Sequence, residues 1–244
     1  MILSVEKDEK AFDLAAAWRI VAQMVSKPDS VIGLSTGRTT GNMHRIAAEI
    51  HRAHPFNVSG ITILGQDEVV NVPREYSGSC WTMLKTEIVD TIGLPESNFL
   101  MLPVSSDDYG RDCKAFTDEI DARGGIDLLI LGIGENGHLG FNQPGTPFGS
   151  GCRVSYMMPE LESRLRRESG VGDDVVLAGV TLGLKDIMKA RKIILAAKGK
   201  SKADIIGKAV CGPVTEEVPA SILQLHNDCE VLLDTDAAEF VNRH

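Results

Sequence analysis

No stretch of the 244 residues approaches the roughly 20 consecutive apolar residues of a membrane-spanning helix. The first residues, MILSVEKDEKAFDLAAAW, carry acids where a secretory leader needs a basic start and a long apolar run, so no targeting segment is expected. Cysteine is sparse. Cys80, Cys113, Cys152, Cys211 and Cys229 are odd in number, dispersed and never spaced as CxxC. That excludes a disulfide frame and a zinc knuckle, and predicts reduced thiols in a cytoplasmic protein. Basic charge is also short: 25 Lys and Arg against 34 Asp and Glu leave a net charge of −9. Neither nucleic acid nor an anionic membrane surface is therefore expected as the main partner. Repeats, low-complexity tracts and Pro/Ser linkers are absent, so residues 1–244 are expected to form a single domain.

What is present is enough apolar material for a core (43% hydrophobic), distributed in short runs. Residues 8–26 carry apolar positions at helical spacing, and GNMHRIAAEIHRAH, CWTMLKTEIVDTIG and DDYGRDCKAFTDEIDARGG read as further helices. DSVIGLSTG, GITILGQDE, IDLLILGIG, DVVLAGVTLG, KIILAAKG and CEVLLD read as buried strands, with a less regular stretch over 146–172. Buried strands alternating with amphipathic helices predict an α/β fold whose mostly parallel sheet is covered on both faces. Ligands in such sheets bind at the carboxyl ends of strands, and four of those ends carry suitable chemistry: STGRTT, GQDE, GENGH and KGKSK.

STGRTT, from Ser35 to Thr40, places small hydroxyl residues and Gly37 between a strand and a helix, a geometry that presents backbone N–H groups to a phosphate or carboxylate. It lacks the Gly-Lys-Ser/Thr ending of a Walker loop and is not GxGxxG. An ordinary N-cap by Thr39 or Thr40 is the competing account; Arg38, with Lys198, Lys200 and Lys202 at another strand end, favours the anion. A local cluster of this kind overrides the acidic global charge. Asp67 and Glu68 follow a buried strand, where burial raises a carboxylate towards the range of a general base. Helix capping is their other reading. His138, between Gly137 and Gly140, is free to approach a ligand closely. His51 and His54 lack a third ligand, so no metal is expected. SRLRRES reads either as a solvated helix face or as the source of an arginine folded over an anion.

Five stretches, GQDEVVNVP, GIGENGHLGFNQPG, GVTLGLKDI, KGKSKA and VPASILQLH, resemble the landmarks of the glucosamine-6-phosphate deaminase/isomerase family, closest to its galactosamine-6-phosphate branch. They run in the expected order over nearly the whole chain. Related 6-phosphogluconolactonases continue from GH into an ASLFP-like segment, where this chain has LGFNQP. The resemblance implies a modified Rossmann-like three-layer sandwich, a phosphorylated amino sugar as partner, no cofactor, and isomerisation coupled to loss of ammonia. It makes Asp67 the base that moves a proton between C2 and C1, and His138 the ring-opening residue with Asn136 and Gln143 beside it. Ser35, Thr36, Gly37, Arg38, Thr39, Glu68, Gly137 and Lys202 become candidates for phosphate and substrate contact, joined by Arg164 or Arg166. Two positions depart from the family pattern: Arg38 where Gly is usual, and Gln143 where a glutamate pairs with the histidine. An amide cannot stabilise an imidazolium as a charge partner, so the basicity of His138 is expected to fall. Replacement of the missing charge by Glu135 or Glu68, a substrate needing less ring opening, and sugar-phosphate binding without turnover are all compatible with Gln143. A homo-oligomer stays open, and the ending AAEFVNRH predicts no elaborate effector site.

Overall fold

The computed structural model describes residues 1–73 and 75–241, with only the backbone of Glu160; the last residues of AAEFVNRH, 242–244, lie outside that range. The described residues form ten strands, β1 (Ile2–Glu6), β2 (Val31–Leu34), β3 (Thr62–Gly65), β4 (Asp67–Val70), β5 (Phe99–Leu100), β6 (Leu128–Leu131), β7 (Arg153–Ser155), β8 (Ala178–Thr181), β9 (Lys192–Ala197) and β10 (Cys229–Asp234). Eight α-helices accompany them: α1 (Glu9–Ser26), α2 (Gly41–Ala53), α3 (Cys80–Leu84), α4 (Asp90–Ile92), α5 (Tyr109–Ala122), α6 (Pro159–Ser169), α7 (Leu184–Ile187) and α8 (Ala203–Cys211).

Seven strands form one sheet in the order β1-β10-β9-β6-β2-β3-β5, with every neighbouring pair parallel. Strand alternation assigns successive residues to opposite faces. Leu129, Leu131, Ile193, Leu195, Val231 and Leu233 pack with Phe116 of α5, Ile187 of α7 and Ile206 of α8. Leu128, Ile130, Ile194, Ala196 and Leu232 pack the other way, against Phe12 and Ile20 of α1, Met43 of α2 and Leu84 of α3. Both faces are thus covered, which is why these strands read as continuous apolar runs. Capping agrees with the sequence pattern: Asp8 accepts from the Ala11 N–H to start α1, and Asp108 from the Arg111 N–H to start α5.

The remaining strands depart from the sequence expectation. GITILGQDE is not one strand. The chain turns at Gln66, and β4 pairs antiparallel with β8, which pairs antiparallel with β7. This second sheet has its own small core of Val69, Val72, Phe141, Leu165 and Leu177, closed by α6. The stretch 146–172, expected to be irregular, supplies β7 and α6. Edge strand β1 is largely exposed, so its ILSVE carries little of the burial signal that reveals a strand. CWTMLKTEIVDTIG is helical but interrupted: a π-helical turn, Lys85–Val89, separates α3 from α4. Glu87 on that turn is buried against His44 and Arg45 of α2, at 2.9 Å from each.

Candidate active site

The four strand ends singled out in the sequence belong to β9, β6, β2 and β3, which are consecutive neighbours in the sheet. From β2 the chain moves outwards to β3 and β5, then returns to the far side of β2 as β6. The crevice at this reversal is the topological switch point of the sheet, where parallel α/β folds collect ligands. Ser35 braces it. Its hydroxyl donates to Ile130 O at 2.9 Å and accepts from Gln66 Nε2 at 2.7 Å and Gly132 N at 3.3 Å. Those bonds exhaust the hydroxyl, so the ligand contact expected of Ser35 is replaced by a tie between strand ends.

Beyond Ser35, the loop folds back so that the N–H groups of Thr40 and Gly41 reach Gly37 O at 3.3 and 3.1 Å. The amides of Thr36, Gly37, Arg38 and Thr39 have no partner among the described residues, and they precede the N-terminus of α2. Arg38 is exposed and makes no ion pair among the described residues. Lys202, half-buried before α8, feels the charges of Arg38 and Glu135; burial, the largest influence, pushes its ammonium below the usual lysine range. Four free amides and two cations near enough to feel each other suit a phosphate. Lys198 is directed elsewhere, bonded to Glu9 at 2.7 Å and Asp13 at 2.8 Å on α1.

Asp67 and Glu68 are both buried yet do different work. Glu68 accepts backbone N–H bonds from Cys80 at 2.7 Å, Trp81 at 2.7 Å and Val69 at 2.8 Å, so its carboxylate starts α3 rather than contacting a ligand. Asp67 has one weak donor, the Cys80 thiol at 3.7 Å. Burial first and the Glu68 charge second raise its carboxyl to about 7. A carboxylate that titrates near neutrality takes a proton from carbon and releases it again, the property a general base needs.

His138 lies on Gly134, where a β-carbon would come within 2.1 Å of the imidazole. Gly140 carries the same loop past Asp67 with φ +57°; a β-carbon there would lie 3.1 Å from Asp67 Oδ2 and 2.7 Å from Thr181 Oγ1. The loop rests on the segment Pro219–Leu225 through Ala220 N to Gly137 O, 2.9 Å. His138 Nδ1 bonds Asn136 Oδ1 at 2.7 Å, and Asn136 Nδ2 donates to Gln143 Oε1 at 3.0 Å. An amide oxygen only accepts, so this chain puts the ring proton on Nδ1 and leaves the Nε2 lone pair for a substrate. Gln143 therefore acts on His138 through Asn136, not directly. Burial and then Lys202 push the imidazole down to about 4. Among the described residues neither Glu135 nor Glu68 is bonded to His138: Glu68 is committed to the N–H groups of Val69, Cys80 and Trp81, and the charge of Glu135 acts on Lys202.

The arginines of α6 do not converge with this group. Arg166 holds the following loop through Gly172 O and Val175 O and pairs with Glu162 at 2.8 Å, which removes it from ligand contact. Arg164 faces outwards, 3.8 Å from Glu168. The arginine that does reach the loop is Arg153, donating to Asn142 Oδ1 at 2.9 Å. Neither Arg153 nor Cys80 carries a signal in the sequence, since each is placed by the way the chain folds back after Asn142 and after Asp67. His51 bonds Phe56 O at 2.9 Å, and no cluster of metal-ligating side chains occurs among the described residues. None of the described helices is long and apolar enough to cross a membrane.

Comparison with known proteins bears on this arrangement. A family model described as glucosamine-6-phosphate isomerases/6-phosphogluconolactonase matches residues 7–232. A glucosamine-6-phosphate deaminase of Clostridium botulinum (strain Loch Maree / Type A3) is 36% identical over 242 residues, spanning 99% of this chain and 98% of that protein. One from Geobacillus sp. (strain WCH70) is 35% identical over 236 residues, 97% of this chain and 92% of its own. The solved structure of a monomeric glucosamine-6-phosphate deaminase superposes with a TM-score of 0.91 at 30% identity, over 98% of this chain and 100% of the other. A Trypanosoma brucei 6-phosphogluconolactonase, 18% identical, shares the fold with a TM-score of 0.78 over 100% and 98% of the two chains.

Proposed function

The chain belongs to the glucosamine-6-phosphate isomerase/6-phosphogluconolactonase family, and from that premise we propose that it is a cytoplasmic hexosamine-6-phosphate deaminase/isomerase. The observation that carries the reading is Asp67, a buried carboxyl titrating near 7, beside the His138 loop and the free amides of the phosphate cradle.

The substrate phosphate sits on the amides of Thr36–Thr39 with Arg38 and Lys202, and its binding energy holds the flexible sugar in register. Neutral His138 takes the anomeric hydroxyl proton on Nε2 and returns it to the ring oxygen, opening the ring. Asp67 removes the proton from C2 and delivers it to C1, a short swing between adjacent carbons, while the C2 ammonium gives up one proton and O1 gains one, leaving a C2 iminium beside a C1 hydroxyl. Water then adds to the C2 iminium and ammonia leaves, giving the ketose 6-phosphate. Every step is proton transfer or hydration, so no cofactor is required. The relatives' names favour glucosamine 6-phosphate, and the motif resemblance favours its galactosamine epimer.

Purified protein supplied with either hexosamine 6-phosphate is expected to release ammonia and ketose phosphate in equal amounts, and no acid from 6-phosphogluconolactone. A second reading, sugar-phosphate binding without turnover, is favoured by the low basicity of His138. It prevails if no product forms while hexosamine phosphates still raise the melting temperature.

A further inference from the structure

Cys80 stands where the phosphate loop, the base and α3 meet, and no step above uses it. Its side chain is buried. Its Sγ accepts the Thr36 hydroxyl proton at 3.0 Å and lies 3.7 Å from Asp67 Oδ1, to which it donates. Its backbone N–H donates to Glu68 Oε1 at 2.7 Å. Asp67, Glu68 and Thr36 are the groups that act on the thiol; burial and the two carboxylates keep it protonated, so it remains a donor at neutral pH.

We propose that Cys80 is a positioning residue that couples the phosphate loop to the base: its S–H holds Asp67 Oδ1, and its sulfur holds the Thr36 hydroxyl until a phosphate draws that hydroxyl away. The inference rests on the deaminase/isomerase reading. A hydroxyl has one proton, and in the free protein Thr36 gives it to sulfur. An anionic phosphate oxygen is the stronger acceptor and takes that donor when it arrives. A sulfur that no longer accepts is a poorer S–H donor, because successive hydrogen bonds polarise one another. Asp67 is then less restrained and more basic once substrate is seated. The length of the S–H contact suits this task, since a tight bond would pin a carboxylate that has to swing between two carbons.

The test compares wild type with Cys80→Ser and Cys80→Ala, following kcat and kcat/KM against pH. Cys80→Ala is expected to move the acid limb of kcat/KM up by about half a pH unit, the scale of one weak hydrogen bond. Its kcat should fall about three- to tenfold with KM changed less than about twofold. Cys80→Ser, which keeps donor and acceptor, should restore both. A Cys80→Ala profile matching wild type, or a Cys80→Ser as impaired as Cys80→Ala, overturns the proposal. Thr36→Val opens the same chain at its other end; it should reproduce the shifted acid limb and serves if Cys80→Ala does not fold. Carbon-13 titration of the Asp67 carboxyl in the free protein separates this inference from the functional reading. Inorganic phosphate raises that midpoint through its own charge in every variant, with an extra rise of about half a unit expected in wild type and Cys80→Ser. Equal phosphate shifts in wild type and Cys80→Ala overturn the coupling. Absence of turnover in wild type overturns the functional reading alone.

Discussion

Adjacent side chains at the site are distinguished by their partners, not by their type. Glu68 ends on three backbone N–H groups, whereas Asp67, one residue earlier, has only a thiol. A carboxylate with several donors serves structure; one that is buried with almost none is left reactive. The same logic applies to Gln143, whose amide oxygen accepts from Asn136 as a carboxylate would but brings no charge. Gln143→Glu preserves that bond and adds a negative charge behind Asn136, which favours the imidazolium. The His138 midpoint, now depressed to about 4, is expected to rise by about one unit in an NMR titration. Turnover of cyclic hexosamine phosphates should rise roughly three- to tenfold with it. An unmoved midpoint removes Gln143 from any electrostatic role.

At the scale of elements, the site is a joint between two sheets. The parallel sheet supplies the amide cradle and the root of the His138 loop, and the small antiparallel sheet carries Asp67 in β4. Val70, Ala178 and Val180 of the small sheet pack into the core beneath Leu131, Gly140 brings the His138 loop against Asp67 and Thr181, and Phe141 beyond it lies on Gly179 of β8. Gly140→Ala would place a methyl against Thr181 and Asp67 at a positive φ. It is expected to cost about 1–3 kcal/mol of stability by denaturant unfolding. It should also lower kcat more than about tenfold while leaving phosphate affinity within about twofold, because the cradle is on other elements. Strands β2, β3, β6, β9 and β10 of the main sheet were legible in the sequence because buried parallel strands read as apolar runs between turn residues, whereas its edge strands, the exposed β1 and the two-residue β5, were not. The small sheet was legible only in β8, since the chain bends at Gln66 directly after Gly65 and the buried β4 reads on as though it were the same strand. Convergence of the four strand ends was legible in outline. The withdrawal of Ser35, Glu68 and Arg166 into internal bonds was not: Ser35 meets Ile130 and Gly132 from another strand end, and the bonds of Glu68 and Arg166 depend on how the following loops fold back.

For the molecule as a whole, the buried base is a destabilising group. Burial and the Glu68 charge push the Asp67 carboxyl up to about 7 in the folded protein, against 3.8 for the free side chain. The unfolded chain releases this proton first, so stability supplied by the protonated form is intact below about pH 4 and is lost as pH rises through 7. His138, depressed from 6.5 to about 4, acts with the opposite sign over a similar interval and partly offsets it. Asp67→Asn removes only the first effect. Its melting temperature is expected to exceed that of wild type by roughly 3–8 °C at pH 8. The margin should shrink steadily towards pH 4, while isomerisation is abolished throughout. A margin independent of pH would mean that Asp67 ionises freely in the folded state.

The order of apolar runs, glycine turns and the residues DE, NGH and KGKSK determined the α/β class, the family and the end of the sheet that carries chemistry, since these depend on local pattern. Tertiary structure alone decided which acid is capped and which is free, that Asn136 stands between Gln143 and His138, and that Cys80 returns to Asp67. These contacts arise where turns and strand ends fold back on themselves, a proximity that apolar periodicity does not encode, and with burial they set the protonation states on which the reaction depends.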